Sequence, residues 1–152
     1  MSIRPLRRDE IPALSADLAR LPLMQRYGRD ADRLRADLLA ALSRGDGLLV
    51  EEAEGRARGL AWFLRSGTLG MGGYLRLIAV TPEATSGGIG VRLLRAFEAE
   101  VARESRHAFL LVSDFNAGAQ RFYERHRYTR VGALPGLVLP DVVEVLYWKR
   151  LR

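Results

Sequence analysis

The sequence predicts an α/β chain of the α+β kind, a mixed sheet with helices on both faces, in the order β-α-α-β-β-β-α-β-α-β-β. Three observations carry that prediction. Apolar residues recur at helical spacing in four separated segments, and short β-branched or aromatic runs lie between them. One run, Ala108 to Val112, is apolar throughout, as in a strand covered on both faces. The 152 residues suit a single domain, 1–152, with no repeat, low-complexity tract or linker.

Taken in order, Ser2 to Leu6 alternate as a short strand. Asp9 then caps a helix with Ile11, Leu14, Leu18 and Leu21 on one stripe. A second helix follows Asp30, with Leu34, Leu38, Leu39 and Leu42 on one face, and the Gly45–Gly47 segment ends it. A β-meander comes next: GLLVEE, a turn at Glu54-Gly55, GLAWFL, a glycine-rich connection, and YLRLIAV. Pro82 stops the third strand because it has no N–H to give a ladder. A helix from about Gly88 to Glu104 buries Leu93, Leu94, Phe97 and Val101. The all-apolar strand follows, then a helix beginning near Asn116 that carries Ala119, Phe122 and Tyr123. A strand around Tyr128 to Val131, a proline-punctuated loop and the strand VVEVLYW complete the chain.

Composition excludes several classes of function. The chain has no cysteine, so disulfides, thiolate zinc sites and Cys nucleophiles are absent. His107 and His126 are the only histidines, and no metal is expected. The balance of 24 basic and 18 acidic residues, net +6, attracts anions such as phosphorylated cofactors. All basic residues but Lys149 are arginines, scattered rather than gathered in a tract, so nucleic acid is not the expected partner. No apolar run reaches the ~20 residues that span a bilayer, and MSIRPLRRDE lacks the apolar core of a secretory signal. A cytoplasmic protein without a membrane partner is expected.

Two segments carry candidate chemistry. In VTPEATSGGIGVRLL a strand ends at Val80, a loop of small residues follows, and an amphipathic helix starts at its glycines. A helix's first turn offers unpartnered N–H groups and the positive end of its dipole, so it binds phosphate. Ser86, Gly87, Gly88 and Gly90 lack the bulk that would keep a pyrophosphate away, although the same glycines also suit a plain turn. The segment is not a P-loop, since Val91-Arg92 stands where Lys-Ser/Thr is required. Nor does it match G-x-G-x-x-G, because Leu93 replaces the last glycine. The second segment, Leu111 to Tyr128, places Asn116 just past a strand and Ala119, Phe122 and Tyr123 on the next helix. Taken singly, these read as an N-cap and core aromatics.

Together the two segments resemble the acyl-CoA-binding signature of the GNAT superfamily of N-acetyltransferases. Val80, Pro82, Glu83, Gly88, Gly90, Leu93 and Leu94 match its first part, and Asn116, Ala119, Phe122, Tyr123, Glu124 and Tyr128 its second. The element order matches as well, so the resemblance covers nearly the whole chain. It departs from the pattern where Thr85 replaces the usual Gln or Arg and Ser86 an often-found Gly. His126-Arg127-Tyr128 stands in place of Leu-Gly-Phe, and Arg127 predicts an altered helix end.

The resemblance implies acetyl-CoA as acyl donor, held by Ile78, Ala79 and Val80, by Thr85, Ser86, Gly87, Gly88, Ile89, Gly90 and Val91, and by Asn116. It implies that the pantetheine arm lies between strand 74–80 and strand 109–112, with an N–H near Ile78 facing the developing oxyanion. A primary amine of a small molecule or peptide would attack directly in a ternary complex, with Tyr123 as general acid toward the departing thiolate. Many family members carry a base Glu on strand 74–80, and this chain has none there. Glu51, Glu52, Asp114 and Glu144 remain open as bases, as does a water chain. The family's acceptor pocket corresponds to residues 21–44 and 132–142, and the apolar ALPGLVLPD suggests a pocket wall or a homodimer contact. The alternative from another class is a non-catalytic acyl-CoA-binding sensor or interaction module.

Overall fold

The computed structural model of the chain describes residues 2–84 and 87–152. Thr85 and Ser86, both expected to bind the coenzyme, lie outside the described residues. The elements are β1 Ser2–Pro5, α1 Ile11–Ala19, α2 Pro22–Arg26, α3 Ala31–Arg44, β2 Gly47–Ala53, β3 Arg56–Thr68 and β4 Gly72–Val80. They continue with α4 Ile89–Ala102, β5 His107–Ser113, α5 Ala117–Arg125, β6 Thr129–Pro135 and β7 Val143–Arg150. The seven strands form one sheet in the order β1-β2-β3-β4-β5-β7-β6. Every neighbouring pair is antiparallel except β4 and β5, which run parallel.

Two cores sandwich that sheet. On one face Leu93, Leu94, Phe97 and Val101 of α4 pack on Phe63, Leu75, Leu110, Val145 and Tyr147. On the other, Ile11, Leu14 and Leu18 of α1 and Leu34, Leu38 and Ala41 of α3 pack on Val50, Leu60, Trp62 and Ala79. Burying each such large apolar side chain is worth about 1.5–3 kcal/mol, which is what holds helices to both faces. Gly59 lets α4 sit close to the sheet: a Cβ there would come within 2.7 Å of Ile89 and 2.9 Å of Leu93.

The predicted helices and strands are present, with several differences. Asp9 does not cap α1: it lies inside a 3-10 turn, Arg8–Glu10, and the N-cap is Glu10 with no side-chain cap bond. β6 runs on to Pro135, into the segment expected to be a loop, because β7 pairs with it that far. The short helix α2 was not expected, because the chain turns at Leu21, and Pro22 starts a five-residue helix whose one buried residue is Met24. β3 is far longer than GLAWFL, since its end beyond Leu64 is mostly exposed and carries no apolar alternation. β5 is covered fully on one face only: Ala108, Leu110 and Val112 are buried, while Phe109 and Leu111 are half-buried. Finally, Arg127 does not alter the end of α5. It adopts the left-handed conformation itself, at φ 71, and Tyr128 N–H still bonds the Tyr123 carbonyl at 3.0 Å.

Candidate active site

β4 and β5 pair only from Gly72–His107 to Leu75–Leu110, and beyond that register they diverge. The cause lies in β4. Leu75 pairs with Phe63 and Leu77 with Trp62, so Arg76 is an extra, bulged residue, and a bulge bends and twists its strand. From Arg76 to Val80 the strand keeps β3 on one side and has no strand partner on the other among the described residues. Thr81 N–H bonds the Arg58 carbonyl at 2.9 Å, which sets the alternation of the ladder. Residues 77 and 79 then bond toward β3, while the N–H and C=O of Ile78 and Val80 face the open side. Of the three expected backbone contributors, Ile78 and Val80 thus border the gap, and Ala79 is turned to Leu60 with its side chain in the α1–α3 core.

The opening of α4 adjoins this gap. Gly88 is its N-cap in a left-handed conformation, φ 74, and as a glycine it offers no side-chain acceptor. Arg92 N–H bonds the Gly88 carbonyl, and the N–H groups of Ile89, Gly90 and Val91 in the first turn have no hydrogen-bond partner among the described residues. Gly87 and Gly88 are exposed, whereas the Ile89 side chain is buried and anchors the turn. Arg92 also fixes the loop: its guanidinium donates to both Glu51 oxygens, at 2.6 and 2.8 Å, and to the Gly87 carbonyl at 2.9 Å. Glu51 is therefore a buried structural ion-pair partner and not a free base. Glu52 pairs with Arg4, and Asp114 is exposed.

α5 flanks the same opening from the other side. A Cβ on Gly90 would lie 3.7 Å from the Phe122 ring, so the start of α4 packs against the middle of α5. Asn116 caps α5 by accepting the Ala119 N–H at 3.1 Å through Oδ1, which leaves its amide donors for another partner. Tyr123 is nearly buried between Phe122 and Tyr128, with ring centroids at 5.1 and 5.7 Å. Burial pushes its phenol well above the ordinary value, so it stays protonated and acts as a donor.

The opposite face of the sheet holds a cavity of about 310 Å³ at the same divergence. Tyr74, Arg76 and Leu77 of β4, Leu111 and Ser113 of β5, and Glu144 of β7 form its floor. Leu23, Met24, Tyr27, Arg29 and Leu34 wall it on one side, and Leu137 and Val138 on the other. Segments 21–44 and 132–142 therefore meet at one cavity. Glu144 is 5% exposed and accepts the Tyr27 O–H through Oε2, while Ser113 Oγ hydrogen-bonds the same Tyr27 oxygen. Burial first, and then the Glu144 carboxylate, push the Tyr27 phenol up to about 12. The tyrosine thus remains a donor that orients the carboxylate. Glu144 Oε1 accepts no hydrogen bond from any described residue.

Of the four carboxylates open in the sequence, Glu144 is the one in this cavity. Tyr27, Ser113 and Arg92 were not anticipated. Tyr27 follows the five-residue helix with no periodic pattern around it, and Arg92 reads as an ordinary polar position of an amphipathic helix. The interruption of VVEVLYW by a glutamate was the one local signal for Glu144. His107 and His126 are structural: His107 Nδ1 accepts from Trp148 at 3.0 Å, and His126 caps α5 against Phe122. Among the described residues no cluster of His, Cys, Asp and Glu is placed to hold a metal ion, and no helix is long and apolar enough to cross a membrane.

The sequence pattern of the acetyltransferase (GNAT) family matches residues 13–128. No curated protein sequence matches the chain. Among solved structures, an aminoglycoside 6'-N-acetyltransferase complexed with coenzyme A superposes with a TM-score of 0.78 at 18% identity, over 100% of this chain and 98% of that one. An N-acetyltransferase from Staphylococcus aureus Mu50 gives 0.78 at 17% identity, over 99% and 98%. A ribosomal-protein-alanine N-acetyltransferase from Brucella melitensis gives 0.76 at 19%, over 99% of both chains. At these identities the structures attest the fold, and the family pattern attests descent. The chain belongs to the acetyltransferase (GNAT) family, whose general activity is acetyl transfer.

Proposed function

We propose that this protein acetylates a primary amine held in the cavity beside Glu144. The observation that carries the reading is the divergence of β4 from β5, with a glycine-capped helix start on one face and a carboxylate cavity on the other. The residues present fit acetyl-CoA. The open N–H and C=O groups of Ile78 and Val80 suit an extended amide-bearing arm, which adds to β4 as a strand would. The first-turn N–H groups of Ile89, Gly90 and Val91 suit its pyrophosphate, and Asn116 has amide donors left over. When bound, the thioester supplies an activated acetyl carbon.

Glu144 takes the proton of the acceptor ammonium, with Tyr27 and Ser113 holding its carboxylate in place. The freed amine forms the new C–N bond as the C–S bond breaks, and the second proton of its nitrogen passes to water as the amide forms. The Ile78 N–H faces the charge that develops on the carbonyl oxygen, where one preorganised donor is worth roughly 3–4 kcal/mol. Tyr123 donates a hydrogen bond to the sulfur that leaves as thiolate. Full proton transfer from it is uphill, because its raised pKa lies far above a thiol value near 8.5. The non-catalytic alternative rested on the lack of a glutamate on β4, and Glu144 supplies a carboxylate from β7 instead.

The test combines calorimetric titration of coenzyme A with thiol release from acetyl-CoA over a panel of amines. Binding and amine-dependent release are expected. Binding without release on any amine would favour the sensor, and no binding would remove the reading altogether.

A further inference from the structure

The cavity carries more charge information than amine transfer requires. It presents one carboxylate, Glu144, and two guanidiniums, Arg29 and Arg76. Arg29 is committed, donating to Asp37 at 2.6 Å. Arg76 is different. Among the described residues it forms no hydrogen bond or ion pair, and its contact is the Trp62 ring, 4.4 Å below the guanidinium carbon. Trp62 is itself locked: it is 3% exposed and donates its indole N–H to Asp46 at 2.9 Å, an acid already paired with Arg44 at 2.7 Å. The bulge in β4 explains why Arg76 is there, since it turns Arg76 and Leu77 to the same face of the sheet. A planar cation stacked on a fixed ring keeps its in-plane N–H fork open, and that fork matches a carboxylate.

Resting on the acetyl-transfer reading, we propose that the acceptor is an amine bearing its own carboxylate, an amino acid or close analogue with an apolar body. Its ammonium sits at Glu144, its carboxylate on the fork of Arg76, and its apolar part against Leu23, Leu77 and Val138. A polycationic amine is a poor fit, because with Arg29 paired to Asp37 the cavity offers one carboxylate beside the cation of Arg76 and leaves the additional charges without a partner. The volume, about 310 Å³, lies at the small end of the ~300–1,000 Å³ found for ligand pockets, as an amino-acid-sized acceptor requires.

The test uses the full chain with acetyl-CoA and follows thiol release with L-phenylalanine, L-phenylalaninamide, phenethylamine and spermidine, and with the corresponding leucine series. These sets keep the apolar body and remove the carboxylate. The carboxylate-bearing acceptors are expected to lead in kcat/KM by about 10- to 100-fold, the range of a charge-assisted pair. Arg76→Gln should lower kcat/KM for them by a similar factor and change the amide and the amine less than about twofold. A lead for the amide, the amine or spermidine, or an equal loss on all acceptors in Arg76→Gln, would overturn the proposal while leaving acetyl transfer intact. Absence of release with every amine overturns the transferase reading, and this proposal with it.

Discussion

Replacing Glu144 with Gln tests the chemistry most directly, because the amide preserves shape and removes only the charge. Its carbonyl can still accept the Tyr27 O–H, so folding stability should change by less than about 1 kcal/mol. Catalysis should not be spared. An alkylammonium with a pKa near 10.4 is ~3.4 units above neutral pH, so taking its proton costs about 4.6 kcal/mol, close to 10³-fold. Without a base that cost falls on the reaction, and kcat for an alkylamine should drop by about 10²–10⁴-fold. The α-amino group of a peptide N-terminus, with a pKa near 8, has only ~1 unit to lose and should suffer about tenfold. The KM for acetyl-CoA should stay the same, because the Gly88 helix start and the open edge of β4 are untouched. Steady-state thiol release at saturating acetyl-CoA, with one alkylamine and one short peptide lacking lysine, measures both effects. A kcat unchanged by Glu144→Gln on the alkylamine would refute the assignment of Glu144 as base.

Three further outcomes are expected. Tyr123→Phe should keep coenzyme A affinity by calorimetry and lower turnover by about 10- to 100-fold, the loss of one hydrogen bond to a charged sulfur; full turnover would leave Tyr123 a packing residue. Arg127→Gly should raise stability by about 0.5–1 kcal/mol, since a non-glycine in the left-handed region costs ~1–2 kcal/mol and glycine's extra unfolded freedom returns part of it. Thermal melts should then rise by roughly 2–4 °C per kcal/mol, and a lower midpoint would show that Arg127 has contacts worth more than its strain. Alkaline stability tests Tyr27. Its folded pKa is raised from 10.0 to about 12, so its contribution is whole below pH 10 and is lost as pH rises through 12. Tyr27→Phe should flatten the urea-midpoint profile over that interval, and parallel profiles for the two proteins would contradict the raised value.

Most of the sheet and the start of α4 were legible because local rules govern them. Gly88 and Gly90 announce a helix start without side chains, and Leu93, Leu94, Phe97 and Val101 announce the face that fixes its orientation. Asp30 and Gly45 mark the ends of α3 through a cap bond to Arg33 at 2.8 Å and a left-handed φ of 82. The acceptor half was not legible, because it is made by contacts across long sequence separations. Tyr27, Ser113 and Glu144 come from three elements and share no spacing rule. The half-covered face of β5 belongs to the same class: Ala108 to Val112 reads as doubly covered, yet α1 and α3 stop over β1 to β4 and leave Leu111 lining a cavity. A pattern of apolar residues reports that a strand is buried, not whether a helix or a ligand does the burying.

One irregularity links both halves. If Arg76 alternated regularly instead of bulging, the pattern begun at Leu75 would send Leu77 into the α4 core and Ile78 toward α1 and α3. The bulge reverses this, so Ile78 and Val80 join the α4 side while Arg76 and Leu77 both face the cavity. The added twist also separates β4 from β5, which frees the backbone edge expected to hold the acyl donor. On the proposed reading, donor groove and acceptor cavity are two faces of the same gap, so a thioester lying in it would meet an amine rising from the floor of the cavity. Deleting Arg76 is the severe form of the test: Leu75 and Leu77 become consecutive, and the ladder with β3 runs on without a bulge. Loss of the added twist should narrow the β4–β5 gap and impair transfer on every acceptor. Arg76→Gln, which keeps the bulge, should impair only the acceptors whose anion the guanidinium binds.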